Sequence, residues 1–299
     1  LLKAYPASAP ADVAAERRKQ TIPQPSVDLE AIKMRPRKSW ATGDISIIAC
    51  HPVGVAENLC AAVEHYPDQR VLDAAICTGN AAPGAVRRYR EATGIDATPD
   101  PLELARAQAA SERWQITFRE ADAESLLFPN GSLDVVLSDS GVLFTPYQEQ
   151  AADKRLRVYR SDGEIGLVNG TPEGFLGTMG AVMPPFAPAS PGPKLPGLRG
   201  TENRLRERFG EEITFLHRQR RHFSHRSPSL QHTAYVNCND SGPAVTRGRL
   251  LSGLPANTWL RTNKHSQASG GSVLPEGDRE VVVVWCERRT HFEESQAGF

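Results

Sequence analysis

Short apolar runs alternate along much of the chain with segments whose apolar residues recur every three or four positions. The run Val71-Leu72 opens a stretch that ends on Asp73 and passes through Ala74-Ala75-Ile76-Cys77-Thr78-Gly79 into Asn80. This pattern predicts a strand and a tight turn. A helix over Ala81 to Arg90 follows, with Asn80 as its N-cap. Glu91 to Asp96, Ile116 to Glu120, Leu133 to Ser138 and Glu164 to Val168 predict further strands. Leu133 to Ser138 is apolar on both faces, as a central parallel strand should be. Between them, Thr98 and Pro99 make a cap and first position for a helix through Leu102, Ala105 and Ala109 towards Trp114. Phe128-Pro129-Asn130-Gly131 is a turn, Gln148 to Tyr159 is helical, and Asn169-Gly170-Thr171-Pro172 ends the fifth strand. Upstream, Ile32 to Arg70 holds two helices, with Ala56, Leu59, Cys60 and Val63 on one face. Strands alternating with helices make an α/β doubly wound sheet. Ligands of such sheets sit outside the carboxyl ends of the strands, where the strand order reverses.

The pattern changes after Met183. Pro184, Pro185, Pro188, Pro191, Pro193 and Pro196 exclude helix and central strand, so 183–200 is expected as a long loop, a candidate lid or substrate wall. Thr201 to Gly210 predicts a helix and Ile213 to Phe223 a late strand. Arg279 to Glu287, with four consecutive valines, is the clearest strand of all. Residues 224–278 are expected to form a substrate cap. Residues 1–27 show no sustained period and carry the charge cluster Glu16-Arg17-Arg18-Lys19, which predicts disorder. The remainder, 28–299, is taken as a single domain with its ligand-binding core at about 40–172 and its final strand at about 279–287.

Composition narrows the classes. In 299 residues, 35 Lys and Arg balance 35 Asp and Glu. A neutral chain argues against a nucleic-acid partner held through phosphates. The five cysteines, Cys50, Cys60, Cys77, Cys238 and Cys286, include no C-x-x-C pair, which fits a reduced, cytoplasmic setting. No run is long enough to span a membrane, and the first residues hold no apolar core of a signal peptide. Neither G-x-S-x-G nor H-E-x-x-H occurs, so no nucleophile or zinc motif is visible, and no metal is expected.

The chemistry gathers at the first turn. Asp96 ends the second strand at the spacing of an acid that accepts hydrogen bonds from ribose hydroxyls, about 20 residues past the first strand. A dinucleotide fingerprint needs glycine at the positions of Ala75, Cys77 and Asn80, and none is there. A nucleoside without a pyrophosphate suits the turn better.

These residues resemble a known family. Val71-Leu72-Asp73-Ala74-Ala75-Ile76-Cys77-Thr78-Gly79-Asn80 looks like the first motif of the class I S-adenosylmethionine-dependent methyltransferases. Thr93-Gly94-Ile95-Asp96-Ala97-Thr98-Pro99, Phe118-Arg119-Glu120-Ala121-Asp122-Ala123-Glu124 and Ser132-Leu133-Asp134-Val135-Val136-Leu137-Ser138 continue the likeness. Leu156-Arg157-Val158-Tyr159-Arg160-Ser161-Asp162-Gly163 is similar to the turn before the fifth strand. The similarity is greatest to small-molecule methyltransferases grouped with quinone-biosynthesis enzymes. It implies a Rossmann-like, seven-stranded, mostly parallel sheet whose last strand runs antiparallel beside the fifth. It further implies S-adenosyl-L-methionine as cofactor and in-line methyl transfer to a small molecule, the cofactor carrying the hard step. Carried over residue by residue, it assigns Asp96 to the ribose, Asp122 to the adenine edge and Ala123 to backbone contact. Asp73 falls near the ammonium and Gly79 near the carboxylate, with Ala75, Cys77, Ala97 and Ser138 completing the cofactor set.

The chain also departs from the family. Cys77 stands in a glycine slot, Pro83 and Gly84 interrupt the first helix, Tyr89 replaces a small residue, and Ser138-Asp139-Ser140-Gly141 is not the N-P-P-Y type of motif. A non-catalytic binding relative and, less favoured, an NAD-dependent oxidoreductase therefore stay open. Trp40 either packs against the sheet or lies over the cofactor. In His217-Arg218-Gln219-Arg220-Arg221-His222-Phe223-Ser224-His225-Arg226, a basic substrate wall with His222 or His225 as base competes with a solvated edge strand whose charges block aggregation.

Overall fold

A computed structural model describes residues 33–34, 37–38, 40–50, 52–63, 66–173, 200–209, 213–225 and 277–288. Two helices, α1 (Ile45–Ala49) and α2 (Val53–Ala62), lead into β1 (Arg70–Ala74), α3 (Ala81–Val86), β2 (Glu91–Asp96), α4 (Pro99–Ser111) and β3 (Ile116–Glu120). Then come β4 (Leu133–Asp139), a 3-10 turn (Gly141–Phe144), α5 (Gln148–Val158) and β5 (Tyr159–Gly170). The last described elements are α6 (Glu202–Phe209), β6 (Ile213–His225) and β7 (Gly277–Arg288). The strands lie in the order β3-β2-β1-β4-β5-β7-β6. The first five pair in parallel, and β7 runs antiparallel between β5 and β6.

Successive residues of a strand face opposite sides, so each apolar run feeds two cores. Val71, Val135, Leu137 and Val168 pack with Val55, Leu59 and Cys60 of α2, Ala81, Ala82 and Ala85 of α3, and Leu102 of α4. Leu72, Ala74, Val136, Ile165 and Leu167 pack on the other face with Ala152 and Leu156 of α5 and Leu205 and Phe209 of α6. Helices cover both faces, which makes the sheet doubly wound.

Three boundaries differ from expectation. The helix foreseen over Ala81 to Arg90 stops at Val86, and Arg88 and Tyr89 close it with i to i+3 bonds to Ala85 and Val86. Tyr89 takes a positive φ of 59° and is exposed. The chain must turn there because Glu91 already donates to the Gln69 carbonyl, at 3.0 Å, to begin β2. Asn80 supplies no side-chain cap; its amide donates to the Ala49 carbonyl at 2.9 Å. The fifth strand starts at Tyr159 rather than Glu164, leaving α5 to end at Val158. The disordered segment foreseen over 1–27 and nearly all of the loop 183–200 and the cap 224–278 lie outside the described residues.

Gly84 has a packing reason. A Cβ there would sit 2.7 Å from Cys60 Sγ and 3.3 Å from Cys60 Cβ, so α2 and α3 touch backbone to side chain. Alanine is the better helix former by up to about 1 kcal/mol, but overpacking a closed core costs about 1–3 kcal/mol. Gly84→Ala is therefore expected to destabilise the protein in urea titration, and to do so much less in a Cys60→Ala background where the sulfur is gone. Equal losses in both backgrounds would show that α2 is not what Gly84 accommodates.

Candidate cofactor site

The strand order reverses between β1 and β4, so the crevice lies beyond Ala74 and Asp139. Ser138 ties its floor together: the hydroxyl donates to the Ala74 carbonyl at 2.8 Å and accepts the Val142 N–H at 3.1 Å. Its side chain is fully buried, so the hydroxyl is an internal strut. Gly141 follows in the 3-10 turn, where a Cβ would fall 2.0 Å from the Ala75 carbonyl oxygen. No residue but glycine fits so close a backbone approach.

Asp73 ends β1 almost fully buried, and its Oδ2 accepts the Ala82 N–H at 2.9 Å. It thus satisfies one of the free donors at the start of α3, the task expected of Asn80. Burial pushes its carboxyl up to about 8; the Ala82 N–H opposes this and the neighbouring Asp139 charge adds to it. Asp139, at the end of β4, is likewise pushed up to about 7 by burial, against hydrogen bonds from Ser140 and Asn80.

Asp96 grips the turn from the neighbouring strand. Its Oδ2 accepts the Cys77 N–H and its Oδ1 the Thr98 N–H, each at 2.9 Å. Burial raises its pKa while these N–H groups hold it down. Ile76 donates to the Ile95 carbonyl at 2.8 Å and Gly79 to the Ile76 carbonyl at 3.0 Å. Between these anchors Ala75, Cys77 and Gly79 all take positive φ, at 57°, 53° and 92°, and Ser140 faces them across the crevice at 65°. Cys77 therefore follows the backbone path that glycine would take, with left-handed strain instead of a rerouted turn. Its thiol is pushed up to about 12, first by burial and then by Asp96, so it is no nucleophile.

Asp122 follows β3. Its Oδ1 accepts the Glu124 N–H at 2.8 Å, while Oδ2 meets Lys33 Nζ at 2.7 Å and Arg37 Nη2 at 3.4 Å. Lys33 also pairs with Glu124 at 3.0 Å, and buried Glu124 accepts the Tyr147 N–H at 2.6 Å. The pKa of Lys33 is raised: burial pulls it down, but the two carboxylates outweigh burial. Ala97 is half-buried and Ala123 buried beside their acids. Trp40 packs edge to face on Phe144, with ring centroids 5.0 Å apart, so its contact is the 3-10 turn beside the crevice.

The structure thus gathers Asp73, Ala75, Cys77, Gly79, Asp96, Ala97, Asp122 and Ala123 along one rim. His222 is not among them. It is exposed on β6, the edge strand, separated from β4 by β5 and β7. Arg218 Nε donates to the Gly200 carbonyl at 2.9 Å and Arg220 pairs with Glu173 at 3.8 Å. The side chain of His225 lies outside the described residues. Sequence reasoning passed over Asp139, though it ends an apolar run just as Asp73 does. It also passed over Lys33 and Arg37, whose partner lies 89 and 85 positions away, a separation that leaves no local signal.

Two outcomes follow from this geometry. Cys77→Gly removes left-handed strain of about 1–2 kcal/mol and adds about 0.5–1 kcal/mol of backbone entropy cost. It should raise stability by up to about 1.5 kcal/mol in chemical denaturation; a loss would mean that the thiol's packing outweighs the strain. Asp73 supplies a pH test. Below about pH 4 its carboxyl is protonated whether folded or unfolded. As pH rises towards about 8, the unfolded chain releases a proton that the folded chain keeps, so the folded state loses stability. Asp73→Asn removes that slope, and urea midpoints should favour the variant increasingly between pH 5 and 8. Parallel curves for the two proteins would contradict the buried, proton-holding acid.

Comparison with known proteins converges on the same elements. A family model for a methyltransferase domain matches residues 71–163, the span from β1 into β5. A protein of Mycobacterium tuberculosis (strain ATCC 25618 / H37Rv) is 34% identical over 200 residues, which cover 66% of this chain and 72% of the relative. A second protein of the same strain is 36% identical over 174 residues, 57% of this chain; the match spans 63% of that relative's length. A demethylmenaquinone methyltransferase of Deinococcus radiodurans is 36% identical over 124 residues, 40% of this chain and 50% of that enzyme. Among solved structures, the YcgJ protein from Bacillus subtilis superposes with a TM-score of 0.57 at 17% identity, covering 79% of this chain and 100% of that one. The reversal between β1 and β4, the matched domain across it and a relative matched over most of its length agree: the chain belongs to the class I S-adenosylmethionine-dependent methyltransferases.

Proposed function

We propose that this protein transfers the methyl group of S-adenosylmethionine to a small-molecule acceptor. The observation that carries the reading is the row of acids, Asp73, Asp96 and Asp122, that close β1, β2 and β3 on one side of the switch point. The residues present fit that cofactor. Asp96, fixed by the Cys77 and Thr98 N–H groups, stands at the end of β2 beside the switch point, where a carboxylate can accept from ribose hydroxyls. Asp122 offers an acceptor to an exocyclic amine, and Asp73 a counter-charge to an ammonium group. The left-handed backbone at Ala75, Cys77 and Gly79 keeps the turn open to a close neighbour despite two side chains.

When bound, the cofactor supplies an activated methyl group that is transferred by in-line displacement. The chain's own residues bind, orient and exclude water. Asp96 and Asp122 fix the nucleoside end, and Asp73 fixes the amino-acid end. Asp139 and Ser140, at the end of β4, border the side from which an acceptor would approach. Orientation of this kind supplies several kcal/mol of a displacement barrier without covalent chemistry by the protein. The likeness to a demethylmenaquinone methyltransferase supports a small organic acceptor.

Calorimetric titration with S-adenosylmethionine and its demethylated product tests the reading. Both should bind, and Asp96→Ala should weaken them by about 1.5–3 kcal/mol, the range for hydrogen bonds to a charged group. That is roughly ten- to a hundredfold in affinity. Unchanged affinity in a folded Asp96→Ala protein would remove the site from this crevice.

A further inference from the structure

We infer that the segment carrying Lys33, Arg37 and Trp40 is an internal latch that competes with the cofactor for the base end of the site. This inference rests on Asp122 as the acid for the nucleobase. Three groups already lie on that acid. Oδ1 takes the Glu124 N–H and Oδ2 takes Lys33 Nζ at 2.7 Å, with Arg37 Nη2 at 3.4 Å. An exocyclic amine approaching Oδ2 meets an ammonium in its place, and the two donors repel each other there.

The contact is built into the fold. Lys33 bridges two carboxylates, Asp122 and Glu124, and its side chain is only 13% exposed. Glu124 is in turn fixed by the Tyr147 N–H, at the entry to α5. The other end of the segment is held independently, by Trp40 against Phe144 of the 3-10 turn that lines the crevice. The two anchors lie on opposite sides of the strand reversal. A bound nucleoside must displace Lys33 from Asp122 at least. Affinity is then the intrinsic value reduced by the fraction of molecules whose latch is open. A latch closed in about nine molecules of ten weakens binding about tenfold.

Three measurements on the full chain decide it, with S-adenosylhomocysteine as probe. Lys33→Gln removes the competing cation, and Trp40→Ala loosens the far anchor without touching an acid. Each should tighten binding, by roughly tenfold for Lys33→Gln and less for Trp40→Ala. Trypsin reports directly on the unaltered protein, because Lys33, Arg37 and Lys38 are cleavage sites: saturating ligand should accelerate cutting at 33–38. Ligand protection of these bonds, or weaker binding by both variants, would overturn the latch and make the segment a cover that closes over the ligand. If Lys33→Gln proves unstable, Trp40→Ala and the trypsin experiment carry the same two outcomes. Asp96→Ala separates the failures. Lost affinity in that variant with no gain in the other two refutes the latch and keeps the cofactor site; unchanged affinity in Asp96→Ala refutes both.

Discussion

The whole site depends on one carboxylate gripping a neighbouring strand's turn. Asp96 closes β2, yet its Oδ2 binds the Cys77 N–H that follows β1, while Oδ1 secures Thr98 at the start of α4. One side chain thereby sets the register of two crossover turns. The reverse support comes from Asp73, which closes β1 and holds the Ala82 N–H at the start of α3. A hydrogen bond to an ionised acid contributes about 1.5–3 kcal/mol and one to a protonated acid about 0.5–1.5 kcal/mol. The left-handed turn costs about 1–2 kcal/mol at each of Ala75 and Cys77. The two acids therefore offset the strain of a turn that glycine would adopt freely, and the path of the backbone survives the loss of glycine.

How much of this was legible follows from how local each cause is. The strands were readable because burial on both faces forces continuous apolar runs: Leu133 to Ser138 is buried throughout, and only Asp139 emerges. The antiparallel insertion beside β5 came from the family resemblance, and the register Gly166 to Trp285 bears it out. The short α3 was not readable, because it ends where Glu91 must meet Gln69 across the sheet. Local propensity made Asn80 the natural cap, but Asp73, nine positions earlier, already occupies the donor at Ala82. The strut at Ser138 was hidden for a related reason. Its hydroxyl is held by the partner strand's carbonyl, 64 positions away.

The basic run on β6 shows how topology arbitrates between two chemical readings. Composition alone allowed a substrate wall or a guarded edge. The order of strands puts β6 last, with its residues from His217 to His222 exposed. Among the described residues no strand pairs on the outer side of the 13-residue β6, and a row of charges on such an edge deters pairing with other chains. Arg218 and Arg220 are anchored to Gly200 and Glu173, which ties the edge to the chain beyond β5.

Electrostatics unites the remaining features. Five carboxylates, those of Asp73, Asp96, Asp122, Glu124 and Asp139, crowd the carboxyl rim of a chain with no net charge. Such a rim must be neutralised, since buried charges are stable only when paired or protonated. The structure does this in two ways. At the centre, Asp73 and Asp139 have their pKa values raised to about 8 and about 7, so each keeps a proton over part of the neutral range. At the outer end, Lys33 lies against both Asp122 and Glu124, and Arg37 against Asp122. On the proposed function, a ligand carrying positive charge at one end and an amine donor at the other would offer these acids the same two kinds of partner. On that same function, the acids that would recognise the ligand are the ones already held by protons and by Lys33, so proton release and displacement of Lys33 would be two parts of one binding event.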